Sequence, residues 1–352
     1  MSLYQNKIVQ NDLEEIVQKV KPRETLKDTK ILITGATGML ATYLTYTLMY
    51  LNEKQNYNIK VYALVRKEEK AKQKFEEFLE NPNFQLVIQD VTEEIKWSEP
   101  LDYIFHVAGS ASPYCIVNDP VGIIKANTIG TIQVMELAKK CNVKKVLYTS
   151  TREVYGKMDE NILEITEEMV GKLDQMDARA CYPESKRMGE NICKSYNLQY
   201  GIPFNNVRIA HSYGPGMTIA KDGRVMSDFI NCVVNNQDIA LNSDGTAKRA
   251  FCYINDCIIA LFMVLLKGTS GESYNIANET EEIPIKDVAN LLTQLFPKKN
   301  LKVTYLDVPM ENRVGYSKIE RVKLSTQKLE TLGWRPSVTL KEGLKRTVQT
   351  FE

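Results

Sequence analysis

Histidine is scarce in this sequence, cysteine is nowhere grouped, and neither sign of charge is in surplus. Two histidines in 352 residues exclude a histidine-rich metal centre. The seven cysteines show no paired metal-type spacing, and their number is odd. They read as reduced thiols of a cytoplasmic protein that holds no metal. Lysine and arginine number 45 against 44 aspartates and glutamates, so no general field gathers nucleic acid or an anionic membrane. No apolar run approaches the roughly 20 residues of a membrane span. Residues 1–27 carry Asn11-Asp12-Leu13-Glu14-Glu15 where a secretory leader needs an apolar core. The chain has neither an internal repeat nor a low-complexity tract.

What is present is an ordinary globular balance, 43% apolar and 25% charged, in a strict rhythm. Residues 5–20 form an amphipathic helix, with Ile8, Leu13, Ile16, Val17 and Val20 on one face. It is expected either to pack on the body as a surface helix or to serve as an oligomer contact or lid. From Lys30 onward short apolar runs alternate with helical patterns. Strands are expected at Lys30–Thr34, Lys60–Val65, Phe84–Ile88, Tyr103–Val107, Lys145–Thr149 and Phe204–Ile209. Helices are expected at Met39–Leu51, Glu68–Glu80, Val121–Cys141 and Tyr182–Tyr200. Such alternation implies an α/β fold, a doubly wound parallel sheet covered on both faces. After Arg208 the rhythm breaks into loops and shorter elements, as expected of a smaller substrate domain at the carboxyl ends of the strands. The organisation expected is a helical extension over 1–27, a Rossmann domain over 28–208, and a C-terminal domain over 209–352 with segments returning to the first.

The run Ile31-Leu32-Ile33-Thr34-Gly35-Ala36-Thr37-Gly38-Met39-Leu40-Ala41 joins the first strand to the first helix of this series. Gly35 permits the tight turn. Gly38 lets backbone approach a pyrophosphate at the helix N-terminus, and Ala41 is small enough for close helix–sheet packing. This points to a bound dinucleotide. The second strand ends Val65-Arg66-Lys67 with no carboxylate for a free ribose hydroxyl, so two cations stand where a 2′-phosphate would lie. Both NAD and NADP fit, and the cations favour NADP. Asp90, ending the third strand before Val91, could accept from the adenine amino group or cap its own loop.

Tyr182-Pro183-Glu184-Ser185-Lys186 opens a helix, and residues four apart share a helix face. A phenol titrates near ~10 in water. A neighbouring ammonium favours its ionised form, which can then take a hydroxyl proton while hydride leaves the same carbon. Thr151, just past a central strand, could bond the reacting oxygen or satisfy the strand end.

With these features the sequence resembles the extended short-chain dehydrogenase/reductases that modify nucleotide sugars, in the NAD-dependent epimerase/dehydratase group. Within these it is most similar to the UDP-glucuronate decarboxylases, with dTDP-glucose 4,6-dehydratases and sugar 4-epimerases further off. The likeness runs from about Lys30 to the C-terminus. It rests on His106-Val107-Ala108, Asn127–Thr131, Ser150–Gly156, Tyr182–Lys186, Tyr213-Gly214-Pro215, Asp222–Val225, Lys248–Asp256 and Leu332–Pro336.

The resemblance implies that Thr151, Tyr182 and Lys186 oxidise a sugar C4 hydroxyl, with Glu153 beside them. It places Gly35, Thr37, Gly38, Met39, Leu40, Arg66, Asp90, Val91, Ala108, Asn127, Tyr182 and Lys186 along the cofactor. Ser110, Arg152, His211, Arg224, Val225, Arg249 and Arg321 fall on the nucleotide sugar, with Arg249 on its diphosphate. It further implies a homodimer through helices Val121–Cys141 and Tyr182–Tyr200. Three residues depart from the pattern. Arg152 replaces the aspartate of dehydratases and the serine of decarboxylases; a guanidinium stays protonated and donates poorly, which disfavours 4,6-dehydration. That cation is expected to depress the Glu153 pKa or to grip an anionic substrate group. His211 stands for asparagine and Gly216 for arginine. Three activities fit: a C4-oxidising epimerase or decarboxylase that recycles its cofactor, an NADP-dependent reductase or dehydrogenase of a nucleotide-activated sugar or polyol, and a catalytically silent binding member.

Overall fold

The computed structural model describes residues 2–306 and 322–352. Seven strands form one parallel sheet: β1 (Lys30–Thr34), β2 (Lys60–Val65), β3 (Phe84–Ile88), β4 (Tyr103–His106), β5 (Lys145–Thr151), β6 (Phe204–Ile209) and β7 (Glu272–Ile276). Their spatial order is 3-2-1-4-5-6-7, so the chain reverses its direction of travel between β1 and β4. A crevice opens there, outside the carboxyl ends of the strands.

The period of two within strands sends neighbours to opposite faces. Ile31, Ile33, Val61, Ala63 and Phe105 join a core with helices Met39–Gln55 and Ile254–Lys267. Leu32, Tyr62, Leu64, Ile104 and Val146 join a second core with Val134, Met135 and Ala138 of helix Ile129–Cys141. Residues 254–265 are buried all round, which makes that helix a core element. No helix among the described residues is long and apolar enough to cross a membrane.

Several elements differ from the sequence expectation, each for a local reason. The helix expected over Val121–Cys141 is two, Pro120–Asn127 and Ile129–Cys141. The hydroxyls of Thr128 and Thr131 donate to the carbonyls of Ile124 and Asn127 at 2.7 and 2.6 Å, and such back-bonding bends helices. The helix expected over Glu68–Glu80 stops at Lys74 and continues as a 3₁₀ turn, Glu76–Phe78. Phe75 and Phe78 both pack on Phe84 and Tyr46 there, a pairing that 3₁₀ geometry eclipses onto one side. Strand β5 runs two residues further than expected, to Thr151, and β7 has no strong signal because only Tyr274 and Ile276 are apolar.

The N-terminal helix, Lys7–Lys19, is built into the core. Val9, Leu13 and Ile16 are fully buried. Asp12, also fully buried, accepts from the Tyr43 hydroxyl (3.2 Å), the Tyr253 hydroxyl (2.7 Å), Asn255 Nδ2 (3.2 Å) and Arg346 Nη1 (2.7 Å). The arm's tip reaches the loop after Tyr213. Gly216 has φ 79°, and a Cβ there would lie 2.9 Å from Leu3 Cδ2.

Candidate functional site

The carboxyl ends of β1, β4, β5 and β6 lead into a cavity of 580 Å³. Its floor is the glycine turn. Gly35 has φ 65°, and a Cβ there would lie 2.8 Å from the Ala108 Cα, so β1 and β4 can approach only if this residue has no side chain. Gly38 caps helix Met39–Gln55 without a side-chain hydrogen bond, which leaves the helix N–H groups facing the crevice for an anion. Gly35→Ala is expected to lose about 1–3 kcal/mol of stability through strain and the backbone clash. Dinucleotide affinity should fall on the order of tenfold or more. Calorimetric titration and urea unfolding read both, and unchanged values would contradict the role of the turn.

Behind the turn runs a hydrogen-bonded chain. The Thr34 hydroxyl accepts from the Val107 and Ala108 N–H groups at 3.2 and 3.1 Å. Its own proton therefore goes to His106 Nδ1, 2.8 Å away. Nε2–H then donates to Thr131 (3.0 Å), whose hydroxyl donates to the Asn127 carbonyl (2.6 Å). His106 is neutral, with its pKa pushed down to about 3 by burial and by the Lys186 ammonium. The Asn127 side chain turns inward and donates to Ser185 Oγ at 2.9 Å. Its buried Oδ1 has no hydrogen-bond partner among the described residues. A Cβ on Gly109 would sit 2.6 Å from that oxygen and 3.2 Å from Lys186 Nζ. An orphaned acceptor, a glycine cradle and an open helix N-terminus fit a dinucleotide.

Helix Cys181–Tyr200 brings Tyr182 and Lys186 to the cavity. Lys186 Nζ donates to the Thr149 carbonyl at 2.8 Å and lies 4.8 Å above the Tyr148 ring. Burial pulls its pKa down to about 8, partly opposed by the Glu190 carboxylate. Glu190 is itself held by Arg208 at 2.9 and 2.6 Å and accepts from Ser150 at 2.5 Å. The Tyr182 phenol is pushed up to about 12, first by burial and then by the Glu153 carboxylate; a hydrogen bond with Thr151 and the charges of Arg179 and Arg224 work the other way. Thr151 Oγ1 also accepts from the Glu153 N–H (3.2 Å), so it serves the strand end as well as facing Tyr182.

Glu153 has a partner that the sequence did not suggest. The guanidinium bonded to it is that of Arg179, with Nε to Oε2 at 2.8 Å and Nη2 to Oε1 at 2.6 Å. Sequence reasoning missed Arg179, because nothing in a 26-residue separation marks the two as partners. Arg152 lines the cavity on the same turn as Glu153, together with Ser110, His211, Arg224, Val225 and Arg249. Arg224 bonds Asp222 through Nε at 2.5 Å, Arg249 Nη1 donates to the Lys248 carbonyl at 2.7 Å, and the His211 ring stands 5.8 Å from Phe251. Asp228, also missed, lines the cavity with its pKa raised to about 6 by burial and by Asp222. Arg321 lies outside the described residues.

At the outer end, Arg66 Nη1 is 3.7 Å from Asp90 Oδ2, while Asp90 Oδ1 caps the N–H and hydroxyl of Thr92 at 2.9 and 2.8 Å. The loop-cap reading of Asp90 is therefore present in the structure. Val91 packs beneath Gly130, where a Cβ would lie 2.9 Å from its Cγ1.

This crevice and its lining belong to a defined class: the chain is a member of the NAD dependent epimerase/dehydratase family, whose model matches residues 31–277. UDP-glucuronic acid decarboxylase 6 of Arabidopsis thaliana is 33% identical over 322 residues, covering 92% of this chain and 88% of the relative. UDP-glucuronic acid decarboxylase 1 of Xenopus tropicalis is 32% identical over 347 residues, covering 97% and 77%. UDP-glucuronic acid 4-epimerase from Bacillus cereus, solved with UDP-glucuronic acid and NAD, superposes with a TM-score of 0.75 at 22% identity, covering 92% of this chain and 98% of its own. At that identity the likeness is one of fold.

Proposed function

We propose that the protein oxidises the C4 hydroxyl of a nucleotide-linked sugar, transforms the resulting ketone and returns the hydride, as an epimerase or decarboxylase. The carrying observation is the meeting of Thr151, Tyr182 and Lys186 in one buried corner above a dinucleotide turn. In this reading residues 28–208 hold the cofactor and 209–352 hold most of the nucleotide sugar. NAD, held at the glycine turn, would supply the hydride acceptor and donor for this cycle. Tyr182 takes the hydroxyl proton, Thr151 orients that oxygen, and the Lys186 ammonium stabilises the phenolate. A C4 ketone acidifies C5 or labilises a C5 carboxylate, so either net outcome follows from one oxidation. Arg152 in place of a proton donor argues against loss of water. Arg249 and Arg224 are suited to the diphosphate.

Asp90 alters the cofactor expectation. A 2′-phosphate drawn to Arg66 would also meet the carboxylate that faces it, so NAD is the cofactor proposed over NADP. Exposed Val121, Ile124, Ile129, Ile132 and Met188 share the helices expected to pair across a two-fold axis, which supports a homodimer.

The test is incubation of the purified protein with NAD and a panel of UDP-, CDP-, GDP- and dTDP-sugars, read by mass spectrometry and cofactor absorbance. The expected result is carbon dioxide loss, or an isomer of unchanged mass, without net cofactor turnover. Stoichiometric NADPH consumption with a two-hydrogen gain in mass would replace this reading with the reductase. Tighter binding of NADP than of NAD would overturn the cofactor assignment.

A further inference from the structure

The Glu153–Arg179 pair is a bidentate ion pair inside the cavity wall, with the two side chains 18% and 13% exposed. It joins the turn after β5 to the turn that leads into the helix of Tyr182, while Arg187 of that helix donates to the Val154 carbonyl at 2.6 Å. Glu153 stands on the 3₁₀ turn that follows β5 and Thr151. Arg179 stands on the turn Ala178–Ala180, fixed by its N–H to Asp177 Oδ1 at 2.8 Å, and this turn runs directly into the helix of Tyr182. We propose that Arg179 is a positioning residue for the oxidation step: by clamping Glu153 beside Tyr182, it sets the net charge that the phenol faces. The proposal rests on the reading that Tyr182 is the proton acceptor.

The argument is one of opposed charges. Glu153 raises the pKa of Tyr182 and Arg179 lowers it; held together, the two oppose each other, with the carboxylate having the larger effect. The other charged or titratable groups facing the phenol are few. Its own helix contributes Cys181 and Lys186. The loop before helix Val225–Val234 contributes Arg224, already paired with Asp222, and Cys115 shares the apolar cluster around the ring. Arg152 lines the cavity next to Glu153, and Tyr148 lies beneath Lys186. Arg187 also ties the tyrosine helix to the β5 turn, but through the Val154 carbonyl and not through the carboxylate of Glu153. Loss of the guanidinium alone leaves an unopposed carboxylate and makes the phenol harder to ionise. Loss of the carboxylate alone removes the group that opposes ionisation while the Arg179 charge stays, and makes it easier. Loss of both restores the balance.

The experiment reads the phenol directly, without a sugar. Protein labelled with 3-fluorotyrosine and loaded with NAD is titrated by fluorine NMR, the Tyr182 signal being assigned with Tyr182→Phe. The expected midpoint falls by on the order of one pH unit in Glu153→Gln and rises by a similar amount in Arg179→Gln. It returns near its starting value in the double variant, and Arg179→Lys stays close to the parent. If Arg179→Gln fails to fold, Glu153→Gln and the double variant still decide the matter. Midpoints that do not move, or that move in the same direction in both single variants, overturn the proposal. So does an Arg179→Gln variant that raises the KM for UDP-glucuronic acid while leaving the titration unchanged, since that is the behaviour of a substrate ligand. No turnover enters the titration, so its outcome stands apart from the identity of the reaction.

Discussion

In the proposed reaction, Tyr182→Phe is expected to slow hydride transfer severely while sparing the fold and the cofactor site. The expected loss is about 10²–10⁴-fold, the span over which a positioned acid–base group contributes. The ring sits 5% exposed among Ile116 and Ile123, and phenylalanine keeps that packing. Only the hydroxyl facing Thr151 disappears. Lys186 stays bonded to Thr149 and His106 stays neutral, because neither depends on the phenol. Single-turnover reduction of bound NAD by a nucleotide sugar that the panel identifies measures the step. NAD affinity by calorimetry is expected to be unchanged. A variant that reduces NAD at the parent rate would remove Tyr182 from the chemistry and leave a binding protein as the better description.

Asp12→Ala has the largest expected effect on stability, about 3–5 kcal/mol, the cost of removing one partner from a buried charged pair. Arg346 is 20% exposed and bonds Asp12, Glu15 and Glu342. Without Asp12 its charge loses its deepest partner, and the buried hydroxyls of Tyr43 and Tyr253 lose their acceptor. Asp12→Asn keeps an acceptor for one or two of these donors and is expected to fall between alanine and the parent. Urea unfolding with an unchanged slope is the measure, a shift in midpoint at constant slope reporting stability alone. A midpoint within error of the parent would make the arm an accessory.

These two residues mark what was legible and what was not. The sheet and the catalytic corner could be read because they are written locally. Short continuous apolar runs give β1 to β6, two glycines three apart give the turn, and a tyrosine and lysine four apart give one helix face. Asp12 could not be read. Its helix shows an apolar stripe, but its four donors come from Tyr43, Tyr253, Asn255 and Arg346. Only folding brings positions so far apart in the chain together. Arg179 was hidden for the same reason: only folding brings it to Glu153. The two-helix break at Thr128 was obscured because threonine back-bonding depends on rotamers, and β7 because an edge strand needs apolar side chains at only a few positions. Arg66 was visible but read alone, without the carboxylate of Asp90 across the strand ends.

The contact between Leu3 and Gly216 bears on how such pockets diverge. An arginine at position 216, as in the decarboxylase-like pattern, would place its Cβ against Leu3 and its backbone in a left-handed conformation. Packing therefore couples two distant stretches of chain. A side chain at 216 is expected to require a shift of Leu3, and loss of the arm would take Asp12 with it and leave the donors of Tyr43, Tyr253, Asn255 and Arg346 without that acceptor. What position 216 can hold is thus expected to depend on residue 3, an epistatic link between a pocket loop and the first residues of the sequence.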